Sequence, residues 1–177
     1  MAKRRRSKKR HLSGEHWHFI GILGTGMSSM ATYAADCGAR ITGSDVRPAP
    51  TVKVLSQRGI QVSLQQEGRG LDRDTNLVVI SQAIAEDNPE LLQARRLGLE
   101  VVRYPELLGL LMERKKGIAV AGTHGKSTTA AMVATVLNLA GADPSFVIGA
   151  TVEQLGGPSG VGSGRHFVAE ACEYDRS

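Results

Sequence analysis

Twice in this chain a short apolar run ends in clustered glycines and gives way to a helical pattern. The first instance is Trp17-His18-Phe19-Ile20-Gly21-Ile22, followed by Leu23-Gly24-Thr25-Gly26. The second is Ile118-Ala119-Val120-Ala121, followed by Gly122-Thr123-His124-Gly125-Lys126-Ser127-Thr128. A strand that turns on glycine straight into a helix belongs at the carboxyl edge of a parallel, helix-covered sheet. The rest of the chain keeps the same alternation. Helices are predicted at 27–37, 51–58, 89–97 and 105–115, the first three stopped by Gly38, Gly59 and Gly98. Asn88-Pro89-Glu90 supplies an N-cap followed by proline at the first helical position. Strands are predicted at 39–43, 60–63, 76–81 and 99–102.

A second unit begins near residue 116. It has its own strand at 118–121, a helix at 126–140 stopped by Gly141, and strands at 145–148 and 166–170. Residues 156–160, Gly-Gly-Pro-Ser-Gly, are expected to form a loop. The fold class is therefore α/β: a Rossmann-like parallel-sheet domain, then the incomplete start of a P-loop-type α/β ATPase domain. The expected boundaries are a basic disordered tail at 1–16, the first domain at 17–115 and the second at 116–177.

Charge narrows the function classes. Of 22 basic residues, seven are Lys3, Arg4, Arg5, Arg6, Lys8, Lys9 and Arg10, leaving 15 against 17 acidic residues. The body is close to neutral, so no specific nucleic-acid partner is expected, and the arm is expected to be a solvated tail. Cys37 and Cys172 make no disulfide framework, which suits a reducing compartment. No apolar run approaches the roughly 20 residues of a membrane span, and no apolar segment follows the basic start as in a secretory signal.

The first glycine loop has the spacing GxxGxG rather than the dinucleotide fingerprint GxGxxG. Its glycines let backbone approach a diphosphate, whose charge is favoured at the following helix N-terminus. Asp45, about 20 residues on at the end of a strand, can accept hydrogen bonds from ribose hydroxyls. A ligand-free tight turn and an NAD site remain open alternatives. His18 is expected at a strand edge rather than as a ligand.

The second loop is sharper. Its backbone N–H groups can surround a phosphate, Lys126 can set a point charge against the β and γ phosphates, and Ser127 can offer its hydroxyl to Mg²⁺. It departs from GxxxxGK[ST], which would need glycine where Val120 stands. Glu170 ends the strand at 166–170, where an acidic residue can join the loop hydroxyl on the metal. One hydroxyl and one carboxylate suffice for Mg²⁺, which keeps several waters.

These residues resemble the Mur ligase family. The resemblance rests on the segment from His18 to Ser28, on Gly43-Ser44-Asp45, Ser81-Gln82-Ala83-Ile84 and Asn88-Pro89-Glu90, and on Ala121 through Thr128. His124 points to the alanine-adding branch, because other members more often carry asparagine there. The resemblance implies a cytoplasmic ATP-dependent ligase of peptidoglycan synthesis. Its substrates would be UDP-N-acetylmuramate and L-alanine, joined through an acyl phosphate, with ATP and Mg²⁺ required. Carried over by position, Gly24, Thr25, Gly26, Met27 and Ser28, with Asp45 and Ser81 nearby, would hold the UDP-sugar. Gly122, Thr123, His124, Gly125, Lys126, Ser127 and Thr128 would hold ATP, with Lys126 as the catalytic cation and Ser127 and Glu170 on Mg²⁺.

The family's usual string Glu-Ala-Asp-Glu-Ser-Asp is here Glu170-Ala171-Cys172-Glu173-Tyr174-Asp175, and the basic arm is outside the family pattern. The chain is also expected to lack the rest of the ATPase domain and the last domain, and so to be inactive alone. Two other functions stay in view: the related ligase that reattaches murein tripeptide to UDP-N-acetylmuramate, and a non-catalytic nucleotide-binding module.

Overall fold

The computed structural model describes residues 12–68 and 70–171. The basic residues Lys3 to Arg10, and Cys172, Glu173 and Asp175 of the acidic string, lie outside the described residues. The first half is a wholly parallel five-stranded sheet of β1 (His16–Ile20), β2 (Arg40–Ser44), β3 (Gln61–Ser63), β4 (Leu77–Ile80) and β5 (Val101–Arg103). Helices α1 (Thr25–Asp36), α2 (Thr51–Gln57) and α3 (Pro89–Arg96) connect β1 to β2, β2 to β3 and β4 to β5, β3 passes to β4 without a helix among the described residues, and α4 (Tyr104–Met112) leads out of β5. The spatial order is β3-β2-β1-β4-β5. β1 and β4 are buried along their whole length, as short apolar strands covered on both faces must be. The chain steps outward from β1 to β3, then returns to the other side of β1. That reversal puts a switch point between the carboxyl ends of β1 and β4, where open α/β sheets bind ligands.

The second sheet contains β6 (Lys116–Val120), β7 (Ser145–Val152), β8 (Gly157–Gly160) and β9 (His166–Glu170), in the order β6-β9-β7-β8. β9 runs parallel to both of its neighbours, and β8 is antiparallel to β7. Helix α5 (Lys126–Leu139) packs on this sheet. Of residues 156–160, expected as a loop, Gly156 closes a single 3₁₀ turn at Glu153–Leu155, but Gly157–Gly160 instead enter the sheet, where Ser159 pairs with Val147 and Gly160 with Phe146. Ladder hydrogen bonds need no apolar side chains, and Pro158 is tolerated because β8 is an edge strand.

The sheets change at Lys116, yet the apolar core crosses that point. Met27, Met30, Ala31, Tyr33 and Ala34 of α1 share one core with Phe19 and Ile41 of the first sheet and Val147, Phe167 and Ala169 of the second. Tyr33 meets Phe167 edge to face, with ring centroids 5.3 Å apart and planes at 67°. Small residues let α1 approach β7 closely: the Ser29 hydroxyl lies 2.9 Å from the Ile148 carbonyl and 2.8 Å from that of Thr25. Burial, aided by the neighbouring Cys37, pushes the pKa of the Tyr33 hydroxyl up to about 12, and a hydrogen bond with Ser145 opposes the rise.

His18 does not sit at a strand edge. It occupies the middle of the central strand, buried, with partners on β2 and α3. A buried imidazole needs partners for its ring nitrogens, and this topology provides them.

Candidate functional site

The first glycine loop opens a cleft of about 480 Å³ at the sheet's switch point. Gly21, Leu23 and Gly24 form one wall, Asp45 to Ala49 a second, and Ser81, Ala83, Ile84 and Ala85 a third. Gln66 and Asn88 complete the lining, the Asn88 amide donating to Gln66 Oε1 at 2.9 Å. Gly24, Asp45 and Ser81 therefore come together as the sequence pattern anticipates. Arg47, Gln66 and Asn88 also line the cleft, and their sequence carries no sign of a ligand role beyond the N-cap pattern at Asn88.

The cleft residues are already engaged in shaping the loop. Asp45 accepts the Leu23 N–H through Oδ2 at 3.0 Å and the Arg47 N–H through Oδ1 at 3.1 Å. Each carboxylate oxygen keeps acceptor capacity for a further donor. Ser81 Oγ accepts the Ala83 N–H at 3.2 Å. Met27 and Ser28 do not face the cleft. Met27 packs in the apolar core, and the Ser28 hydroxyl donates to the Thr25 carbonyl at 3.0 Å. Position 27 can meet a ligand only through its backbone.

The second loop leaves β6 and enters α5 at the carboxyl edge of the second sheet. Gly125 takes the left-handed conformation, φ 74°, which turns the chain into the helix. Thr123, His124, Gly125 and Thr128 are exposed. The Lys126 ammonium folds back over the loop and donates to the Gly122 carbonyl at 2.6 Å. Neither α1 nor α5 has a side-chain N-cap, whereas Asn88 caps α3 through the N–H groups of Glu90 and Leu91. Helices that open after glycine loops thus keep their first N–H groups available to an anion.

Glu170 pairs in register with Val120, two residues before the loop begins, and the Ala171 N–H donates to the Val120 carbonyl at 2.9 Å. The carboxylate is therefore at the edge from which the loop springs. Its Oε1 accepts the Gly149 N–H at 3.1 Å. A side chain at Gly149 would place its Cβ 3.1 Å from Glu170 Oε2 and 3.7 Å from Thr25 Oγ1, so this glycine lets three elements meet. Thr25, of the first loop, and the Glu170 carboxylate of the second unit thus both lie beside Gly149. Ser127 and Glu170 are hard oxygen donors of the kind Mg²⁺ takes. Among the described residues no cluster of three His, Cys, Asp or Glu side chains could hold a metal, so any ion here would rely on few protein ligands.

Two sheets, each with a glycine loop at the carboxyl end of a parallel strand that opens an uncapped helix, define the chain as an α/β protein. The family model described as Mur ligase family, catalytic domain, matches residues 16–116, and the chain belongs to that family. A UDP-N-acetylmuramate–L-alanine ligase from Carboxydothermus hydrogenoformans is 47% identical over 160 residues, 90% of this chain and 34% of the relative. One of the same name from Pelotomaculum thermopropionicum is 45% identical over 170 residues, 96% of this chain and 36% of the relative.

Among solved structures, a UDP-N-acetylmuramate–alanine ligase from Thermotoga maritima matches with TM-score 0.81 and 32% identity, over 88% of this chain and 36% of its own. A UDP-N-acetylmuramate:L-alanyl-γ-D-glutamyl-meso-diaminopimelate ligase from Neisseria meningitides matches with TM-score 0.83 and 32% identity, over 91% of this chain and 53% of its own. The chain spans about a third of the length of the curated relatives it matches.

Proposed function

We propose that this chain carries the UDP-sugar loop and the ATP loop of a ligase that joins L-alanine to the lactyl carboxylate of UDP-N-acetylmuramate in cytoplasmic peptidoglycan synthesis. The proposal divides the chain into a UDP-sugar-binding domain that runs to residue 115 and the start of the ATP-binding domain at 116–177; the first of these takes in Leu12 of the apolar core and His16 at the start of β1, which the expected tail at 1–16 had included. The observation that carries it is the meeting of Thr25, Gly149 and Glu170. A reaction that moves a phosphoryl group from one bound nucleotide to a carboxylate on the other needs the two loops side by side.

In this reading Gly24, Thr25, Gly26, Met27 and Ser28 approach the diphosphate with backbone N–H groups and the α1 N-terminus, while Asp45 and Ser81 line the cleft for the nucleoside. Gly122, Thr123, His124, Gly125, Lys126, Ser127 and Thr128 surround the ATP phosphates. Lys126 swings from the Gly122 carbonyl onto the transferring phosphoryl group and offsets its charge. Ser127 and Glu170 hold Mg²⁺, which supplies charge neutralisation at the phosphates when bound.

The lactyl carboxylate oxygen bonds to the γ-phosphorus as the bond to ADP breaks. The alanine amine then attacks the acyl carbon, phosphate leaves, and the nitrogen loses its proton. No side chain becomes covalently attached. The alanine-adding reading draws on the relatives at 41–47% identity, which carry that name. The tripeptide ligase is the second reading, because a ligase of that kind superposes as well as the alanine ligase does.

The test is ADP release with UDP-N-acetylmuramate and L-alanine, run on this chain and on a form of the relatives' full length. Turnover by the long form with alanine, abolished by Lys126→Ala, is expected, with none from the 177-residue chain. Turnover only with the tripeptide would move the reading to the second ligase. Binding of NADH at the first loop, without UDP-sugar, would overturn both.

A further inference from the structure

Beneath the first cleft lies a polar chain that the proposed chemistry does not use. Glu90, in the first turn of α3, is 1% exposed, and so is His18 on β1. Glu90 Oε2 accepts the hydroxyl of Ser44, which is fully buried, and Oε1 lies 3.2 Å from His18 Nε2. His18 Nδ1 is in turn 2.8 Å from Thr42 Oγ1. A carboxyl group withdrawn from water is costly unless its oxygens find partners, and here β1 and β2 supply them.

What Ser44 holds gives this arrangement its consequence. Its carbonyl accepts the N–H of Gly21 at 2.8 Å and of Ile22 at 3.0 Å, and the next residue, Asp45, accepts the N–H of Leu23 at 3.0 Å. Three successive amides of the first glycine loop therefore hang on Ser44-Asp45. The Ser44 side chain is tied to α3 through Glu90, and α3 is itself started by Asn88 on the cleft wall.

We propose that Glu90 is the positioning residue of the first glycine loop. From 46 residues away it holds Ser44, and through Ser44 and Asp45 it anchors the amides of Gly21, Ile22 and Leu23, from which the ligand-facing stretch Gly24 to Ser28 continues. Its effect on UDP-sugar binding rests on the function proposed above; its effect on the loop does not.

The experiment uses the full 177-residue chain and three variants, Ser44→Ala, Glu90→Gln and Glu90→Leu, with amide hydrogen exchange read by NMR. Exchange at Gly21, Ile22 and Leu23 should rise about tenfold or more in each, most in Glu90→Leu and less in Glu90→Gln, which keeps one acceptor oxygen. The amides of Val168 and Ala169 on β9 should change only by the overall loss of stability. If Glu90→Leu does not fold, Ser44→Ala carries the test, since it removes a single hydroxyl. Loop amides that change in step with Val168 and Ala169 would overturn the proposal. Titration with UDP-N-acetylmuramate adds a separate readout. Weakened affinity that follows the order of loop exchange supports the proposal. Loosened loop amides with no measurable UDP-sugar binding, in wild type or variants, would uphold the positioning role and sink the ligand reading.

Discussion

Helices α1 and α5 begin alike and end up in different surroundings. Each follows a glycine loop at the carboxyl end of a strand, and each lacks a side-chain cap. Yet α1 buries eight consecutive residues, Met27 through Ala34, whereas α5 buries only Ala130 and Ala134. On α5, Met132 and Val136 are each 64% exposed and Leu139 is 81% exposed. The difference lies in what stands on the far side of each helix. The first is wedged between two sheets, so both of its faces find apolar partners; the second covers one sheet and meets solvent beyond it. The same local signal can thus serve as the centre of a core or as its outer layer.

The sharpest way to break this contrast is at the shared core. Phe167→Ala should cost about 3–5 kcal/mol, and Val136→Ala less than about 0.5 kcal/mol, in urea unfolding. Probes on α1 and on β9 should lose structure together in the Phe167 variant. If α1 stays ordered while β9 melts, the core is not shared in the way the packing indicates.

The two glycine loops should differ as well. An alanine at Gly125 meets no neighbouring atom but must adopt φ 74°, so Gly125→Ala should cost about 1–2 kcal/mol through backbone strain. Gly24 has φ −58°, and a Cβ added there would meet nothing closer than the Gly21 carbonyl oxygen at 3.6 Å, so Gly24→Ala should be close to neutral for stability. Equal losses in thermal unfolding would remove this distinction between the loops.

A capped helix provides the next comparison. Asn88→Ala removes the acceptor for two N–H groups of α3 and should cost about 1 kcal/mol, read as a shift in the urea midpoint. No such cap exists to remove on α1 or α5.

The smallest effect expected is acid sensitivity of the first sheet. Burial, aided by the charge of Arg40, holds His16 below the ordinary 6.5, with Asp72 opposing. The folded state therefore takes up this proton less readily than the unfolded chain. Stability is full above about pH 6.5 and declines as the pH falls below it. His16→Gln should flatten that decline, and a urea midpoint that falls equally with pH in the variant would show that another group is responsible.

Much of the fold is legible in the sequence because its signals are local. Asn88-Pro89-Glu90 announces α3, Gly38, Gly59 and Gly98 mark the stops of three helices, and the strand at 166–170 has the ends its pattern predicts. What escapes has no local signal. β8 is made of Gly-Pro-Ser-Gly, whose side chains say turn while its backbone pairs with β7. A lone polar residue in an apolar strand, such as His18, looks like an edge residue; the partner that lets it sit at the centre, Glu90, is 72 residues away.

The sequence by itself determined where strands and helices alternate and where two glycine loops lead from strand to helix, because apolar spacing, caps and glycine turns act within a few residues. Only the tertiary structure decided which of the two helices became the core, which carboxyl group lies buried under the first loop, and that Thr25 and Glu170 both come to lie beside Gly149. Those outcomes depend on sheet order and on the approach of distant backbones, and no local pattern of side chains specifies which distant groups will meet.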